Sequence, residues 1–172
     1  MKISSSASSE RVFTTRSSEE TIALGRELAD LLQPPKLMVL RGDLGAGKTT
    51  LVKGIAAALG AAEPDEVTSP TFTLMHEYVG WWKDGQDAEQ EVRLYHLDLY
   101  RVESQRQLET LGVEELLTPE SILLIEWGEK FPWVTARSDG EIEIQHAGGD
   151  ERCITLRFWQ GTGEALRRGL EA

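Results

Sequence analysis

An α/β fold built on a mixed β-sheet flanked by helices follows from three observations. Residues 37–40 and 122–125 are short, uniformly apolar runs, too brief for amphipathic helices and composed like strands buried on both faces. Other segments alternate apolar and polar side chains, the pattern of half-buried antiparallel strands, and helical periodicities lie between the two kinds. A length of 172 residues, 40% of them hydrophobic, fits a single domain with a sizeable core.

The elements are expected in the following order. Residues 1–16, Ser-rich at the start and lacking the apolar core of a secretory signal, read as a flexible tail, and residues 17–172 as the folded domain. The first helix has Leu24, Leu28, Leu31 and Leu32 on one face, a Ser17/Glu20 pair with capping-box spacing, and Pro34-Pro35 to end it. Lys36 to Arg41 is a buried strand, residues 42–47 a glycine-rich turn, and from Lys48 a helix carries Leu51, Ile55 and Leu59 until Gly60. Residues 61–70, with Pro64 and Pro70, form a polar loop. Residues 71–79 and 91–99 read as strands joined by an acidic hairpin loop, 80–90, whose Trp81-Trp82 either meets a partner or folds back onto the domain. A helix entered at Ser104, with Gln107 at capping-box spacing, runs through Leu108 and Leu111 to Gly112. Residues 113–117 are ambiguous, 121–126 form a second continuous apolar strand, 141–144 and 152–159 a closing antiparallel pair, and 163–170 a terminal helix.

Composition excludes several roles. With 18 Lys+Arg against 29 Asp+Glu, the net charge of −11 rules out a polybasic nucleic-acid binder, so RNA is reached locally or through a partner. Cys153, the single cysteine, cannot form an intramolecular disulfide, which fits a reducing compartment. No apolar run approaches the roughly 20 residues that cross a bilayer. A soluble cytoplasmic protein is expected. His76, His96 and His146 have no zinc spacing, and no G-x-S-x-G element occurs.

Chemistry concentrates at Gly42-Asp43-Leu44-Gly45-Ala46-Gly47-Lys48-Thr49, a full match to G-x-x-x-x-G-K-[ST] between a strand and a helix. Small residues let successive backbone N–H groups face a β-phosphate, the helix adds its positive end, Lys48 reaches the β- and γ-phosphates, and Thr49 ligates Mg²⁺. The expected architecture is therefore P-loop NTPase-like. Glu126, ending an apolar strand, is placed as a Walker B acid, the other reading being a strand-terminating surface glutamate. His96 and Asp98 share a strand face with Val92 and Leu94. Asp98 there orients water or joins the metal shell, or forms a structural pair with an arginine or histidine. Thr68-Ser69-Pro70-Thr71 is either a γ-phosphate switch or a strand-entry turn. Absence of an N-K-x-D guanine reader favours ATP.

Taken together, Gly42 to Thr50, Thr68 to Leu74, His96-Leu97-Asp98-Leu99-Tyr100-Arg101 and Leu124-Ile125-Glu126-Trp127 resemble, in order and spacing, the blocks of the bacterial TsaE family (formerly YjeE). The resemblance implies a small ATPase that binds ATP and Mg²⁺ and docks on the TsaB–TsaD heterodimer. There it supports formation of N6-threonylcarbamoyladenosine in tRNAs reading codons that start with A, with tRNA contacted only through the complex and no membrane involved. Carried over, Asp43, Leu44, Gly45, Ala46, Gly47, Lys48, Thr49 and Thr50 bind nucleotide, with Ser18 near the adenine. Thr49 and Glu126 hold Mg²⁺, Asp98 and Lys48 are catalytic, and Thr68 to Thr71 is the switch. Two alternatives stand beside this. A P-loop small-molecule kinase needs a lid with several arginines, and between Arg101 and Arg137 only Arg106 is available. A nucleotide-gated binding module with negligible turnover has the same motifs.

Overall fold

In the computed structural model, which describes residues 7–159, side chains of the central strands alternate between two fully covered faces. The strands are β1 (Ala7–Thr15), β2 (Lys36–Arg41), β3 (Met75–Lys83), β4 (Glu89–Asp98), β5 (Ser121–Glu126), β6 (Gly140–Gly148) and β7 (Glu151–Trp159), in one sheet of order β1-β7-β6-β2-β5-β4-β3. Neighbouring β6, β2, β5 and β4 run parallel, and the outer pairs β3–β4, β6–β7 and β1–β7 are antiparallel. The expected single-domain mixed sheet with flanking helices is what forms.

Two helices cover one face: α1 (Ser18–Ala29) and α2 (Lys48–Ala58). Their Leu24, Leu28, Leu51, Val52 and Ile55 meet Met38, Leu40, Val92, Leu94, Ile122 and Leu124. The opposite face, with Leu37, Val39, Tyr95, Leu97, Leu123 and Ile125, lies under α3 (Gln105–Thr110), α4 (Pro132–Arg137) and their connections. Both faces of β5 are sealed, which is why its sequence is apolar without interruption; each such buried side chain contributes about 1.5–3 kcal/mol of transfer free energy. Helices α1 and α2 touch backbone to backbone. A Cβ added at Gly25 would collide with the Leu51 carbonyl, and one at Gly54 with the Ile22 carbonyl.

Several expectations are corrected. Ala7 to Thr15 belongs to no tail: it is an edge strand in register with β7, tied by the Glu10 carboxylate to Arg157 Nε at 2.8 Å. Arg157 also holds Glu141 and Glu143, and with Glu143 and Glu10 as the leading causes its guanidinium is held even above its usual basicity. A serine-rich stretch suits an edge, where one backbone side stays solvated. The strand expected from residue 71 begins at Met75, because Thr71 to Thr73 turn first and Leu74 takes φ 69°. The hairpin loop 80–90 shrinks to its tip, since β3 and β4 pair through Lys83 and Glu89. Trp82 packs on the core, as the fold-back reading has it, whereas Trp81 is exposed. A 3₁₀ turn, Pro64–Glu66, interrupts the loop 61–70, and residues 113–117 resolve into another, Val113–Leu116. Residues 1–6 and the helix expected at 163–170 lie outside the described residues. Among the described residues no helix is long and apolar enough to cross a membrane.

Candidate nucleotide-binding site

Register brings the chemistry to one edge. Leu40 and Asp98 both lie opposite Glu126, so the parallel strands β2, β5 and β4 end at one level, beneath the turn that leaves β2. Period-two alternation then fixes the side. Met38 and Leu40, Ile122 and Leu124, and Val92 and Leu94 all point toward α2, so Glu126, His96 and Asp98, which continue those rows, do too. This is the carboxyl edge of a parallel sheet, where α/β proteins collect ligands.

The turn itself is built to leave donors free. Gly47 caps α2 with φ 110°, a conformation that a side chain resists, and among the described residues no side chain caps the first turn, which has no acidic residue either. Within the loop, the Ala46 amide donates to the Asp43 carbonyl at 3.0 Å. From the far side, Arg152 Nε donates to the Ala46 carbonyl at 3.0 Å while its Nη1 reaches the Gly149 and Glu151 carbonyls, clamping the loop to β7. Lys48 is 7% exposed; its Nζ donates to the Gly42 carbonyl at 2.6 Å, stands 3.8 Å from Glu126 Oε2, and lies 5.5 Å from the centre of the Trp127 ring. Among the described residues no side-chain hydrogen bond engages Thr49.

Two carboxylates face this turn in different ways. Glu126, 4% exposed, accepts at Oε1 from His96 Nε2 at 2.9 Å and turns Oε2 toward Lys48. Asp98, 3% exposed, accepts at Oδ2 from Thr71 Oγ1 at 3.0 Å and at Oδ1 from the Tyr100 amide at 2.9 Å. Thr71 is in turn 2.7 Å from the Ser69 hydroxyl, so the Thr68 to Thr71 segment is tied to the sheet through Asp98. At its other end His76 holds it, with Nδ1 on the Thr68 carbonyl at 3.2 Å and Nε2 on Thr73 Oγ1 at 2.8 Å.

These groups enclose a cleft of about 720 Å³ lined by Asp43, Leu44, Gly45, Gly47, Lys48, Thr49, Thr50, Asp98 and Glu126, and by Ser69 and Thr71 of the candidate switch, all singled out from sequence. Ala46 is buried below the turn, and Ser18, exposed at the start of α1, does not line the cleft. Asp98 pairs with neither Arg101 nor His96. Arg101 stacks on Phe72 instead, 4.4 Å from its ring centre. Sequence reading leaves Trp127 open between packing and a nucleotide or partner contact; in the structure it lines the cleft with Tyr100, their ring centres 5.2 Å apart, and the Tyr100 wall and the Arg152 clamp are what sequence reading missed. The aromatic pair was legible in the motifs flanking Asp98 and Glu126; the clamp, 106 positions from its acceptor, left no local signal.

The donor set fits a nucleotide with Mg²⁺. Uncapped amides at a helix start, backed by one buried ammonium, match a phosphate chain. The Thr49 hydroxyl and Glu126 carboxylate are hard oxygens, and no group of three or more His, Cys, Asp or Glu among the described residues makes a protein-only cage. Mg²⁺ takes such sparse sites, completing its shell with phosphate oxygens and water.

The comparisons agree with this geometry. The sequence model of the family described as "Threonylcarbamoyl adenosine biosynthesis protein TsaE" matches residues 15–154. Relatives named tRNA threonylcarbamoyladenosine biosynthesis protein TsaE include one from Bacillus subtilis, 39% identical over 138 residues and covering 80% of this chain and 79% of the relative. Another, from Haemophilus influenzae, is 34% identical over 140 residues, covering 78% and 81%. The crystal structure of Bacillus subtilis YdiB superposes with a TM-score of 0.65 at 31% identity over 95% of each chain. With the P-loop, the level strand ends and these relatives in agreement, the chain belongs to the TsaE family, the P-loop nucleotide-binding proteins of threonylcarbamoyladenosine biosynthesis.

Proposed function

We propose that the protein binds ATP with Mg²⁺ in the cleft and, docked on TsaB and TsaD, hydrolyses it to keep formation of N6-threonylcarbamoyladenosine in tRNA turning over in the cytoplasm. The observation that carries this reading is the convergence of Lys48, Thr49, Asp98 and Glu126 around the uncapped start of α2. The threonylcarbamoyl transfer belongs to the partner complex, and so does contact with tRNA, which a chain of net charge −11 does not attract by itself.

In this reading Lys48 gives up the Gly42 carbonyl to meet the β- and γ-phosphates, a short movement for a flexible stem. Thr49 and Glu126 hold the metal, which supplies charge neutralisation of the phosphates. Water attacks the γ-phosphorus as its bond to the β–γ bridging oxygen breaks, giving ADP and inorganic phosphate, and Asp98 takes the proton that water loses. Each Asp98 oxygen accepts one hydrogen bond, from Thr71 Oγ1 and from the Tyr100 amide, and keeps a further lone pair for water. The Thr71 bond ties the Thr68 to Thr71 segment to this carboxylate, which supports its reading as a switch and also favours a second reading, a nucleotide-gated module with negligible turnover.

Phosphate release by the purified protein, with and without TsaB–TsaD, separates the two. Hydrolysis predicts partner-stimulated turnover that Asp98→Asn lowers about 10²-fold or more while ATP affinity stays within a few-fold. Wild-type turnover at background in both conditions selects the gated module. Near-wild-type turnover in Asp98→Asn removes Asp98 from the mechanism.

A further inference from the structure

We propose that His96 is a positioning residue: it holds one oxygen of Glu126 so that the other stays aimed at the metal shell, and Lys48 stays free for phosphate. The inference rests on the reading of Glu126 as a Mg²⁺ ligand. His96 is fully buried on β4, on the α2 side of the sheet, and its cross-strand neighbours are His76 and Leu124. Its Nε2 lies 2.9 Å from Glu126 Oε1, and a carboxylate only accepts, so the ring proton is assigned to Nε2. Nδ1 is the one buried side-chain nitrogen or oxygen among the described residues with no hydrogen-bond partner.

An imidazole with an unmet nitrogen is a poor choice for merely filling a core position that Val92 and Leu94 precede on the same face, because a leucine there would bring no unmet nitrogen and would take nothing from the core except the donor to Glu126 Oε1. What the imidazole adds is a donor at the Nε2 position. Glu126 has three rotatable side-chain bonds, and its Oε2 stands 3.8 Å from Lys48 Nζ, longer than a close hydrogen-bonded pair. Released from His96, the carboxylate is free to close on Lys48, which would withdraw an oxygen from the metal and the ammonium from phosphate together. Partners that orient a ligating carboxylate typically govern metal affinity by 10- to 100-fold.

The test is binding of a non-hydrolysable ATP analogue to the full chain, followed by calorimetry across a Mg²⁺ titration, with thermal melting of each variant as a control. His96→Leu should keep a cooperative melt, bind the analogue more weakly than the wild type even without Mg²⁺ because Glu126 then competes for Lys48, and need about tenfold more Mg²⁺ for half-maximal enhancement. His96→Gln, whose amide nitrogen falls near Nε2, should recover most of that loss, while His96→Asn, whose amide falls near Nδ1, should not. In a Glu126→Gln background, His96→Leu should add nothing. A wild-type Mg²⁺ response in His96→Leu, or equal responses in His96→Gln and His96→Asn, overturns the positioning role. If His96→Leu fails to fold, the Gln/Asn contrast decides alone. Glu126→Ala is the separate control: a wild-type Mg²⁺ response there defeats the metal reading itself, whereas a shifted response there with an unshifted His96→Leu defeats only the inference about His96.

Discussion

Helices α1 and α2 lie side by side on the same face of the sheet, yet they begin in opposite ways. At α1 the Ser17 hydroxyl accepts from the Glu20 amide at 3.1 Å, Glu20 reaches back to the Arg16 amide at 2.7 Å, and Glu19 and Glu20 place negative charge against the positive helix end. At α2, among the described residues, there is no capping side chain and no acid in the first turn, which opens on a buried lysine and has threonines where α1 has glutamates. One helix start is completed from its own sequence; the other is left for a ligand to complete. An unmet helix start costs stability, so its persistence beside a properly capped neighbour of the same domain marks where binding energy is to be gained.

The sharpest way to break this comparison is Lys48→Ala. It removes the side-chain cation from the open helix start, and calorimetry should show ATP affinity reduced by about 10²-fold or more, with thermal stability little changed. Unchanged affinity would mean that α2 is open for some reason other than phosphate. A smaller effect is expected where the two helices touch. Gly54→Ala drives a methyl group into the Ile22 carbonyl and should lower stability by about 1–3 kcal/mol in denaturant unfolding, showing whether α1 is the support that holds α2 in place. Smallest is Ser17→Ala, which should cost about 1 kcal/mol of stability and leave ATP affinity untouched. Should Ser17→Ala weaken ATP binding as strongly as Lys48→Ala, the two helix starts would be coupled and the contrast between them would fall.

What was legible in the sequence follows the range of the forces involved. The caps at Ser17 and Ser104, the strand that ends in Glu126 and the phosphate loop are written in neighbouring residues, and each appears where its spacing put it. Edge strand β1 was missed because its partner is β7, more than a hundred residues away, and because an edge tolerates the serines and charges that elsewhere signal a tail. The strand ends at Asp98 and Glu126 were read correctly as acidic groups at a sheet edge, but their partners were not. Which of Thr71, Arg101 and His96 meets which carboxylate depends on the register between strands and on one positive φ at Leu74, neither of which periodicity reports.

The hydrogen bond from Thr71 to Asp98 also sets a ratio. A hydrogen bond to a charged group is worth about 1.5–3 kcal/mol, so on its own it holds the cleft end of the Thr68 to Thr71 segment docked in roughly 90–99% of molecules. If nothing else held it, about 1–10% would be undocked, with His76 keeping the far end anchored. Inverting that distribution takes a ligand that favours the undocked arrangement by about 10²-fold at the loose end of this range and about 10⁴-fold at the tight end. In the proposed mechanism a single phosphoryl group, present or absent, would be the chemical difference that chooses the state of this segment.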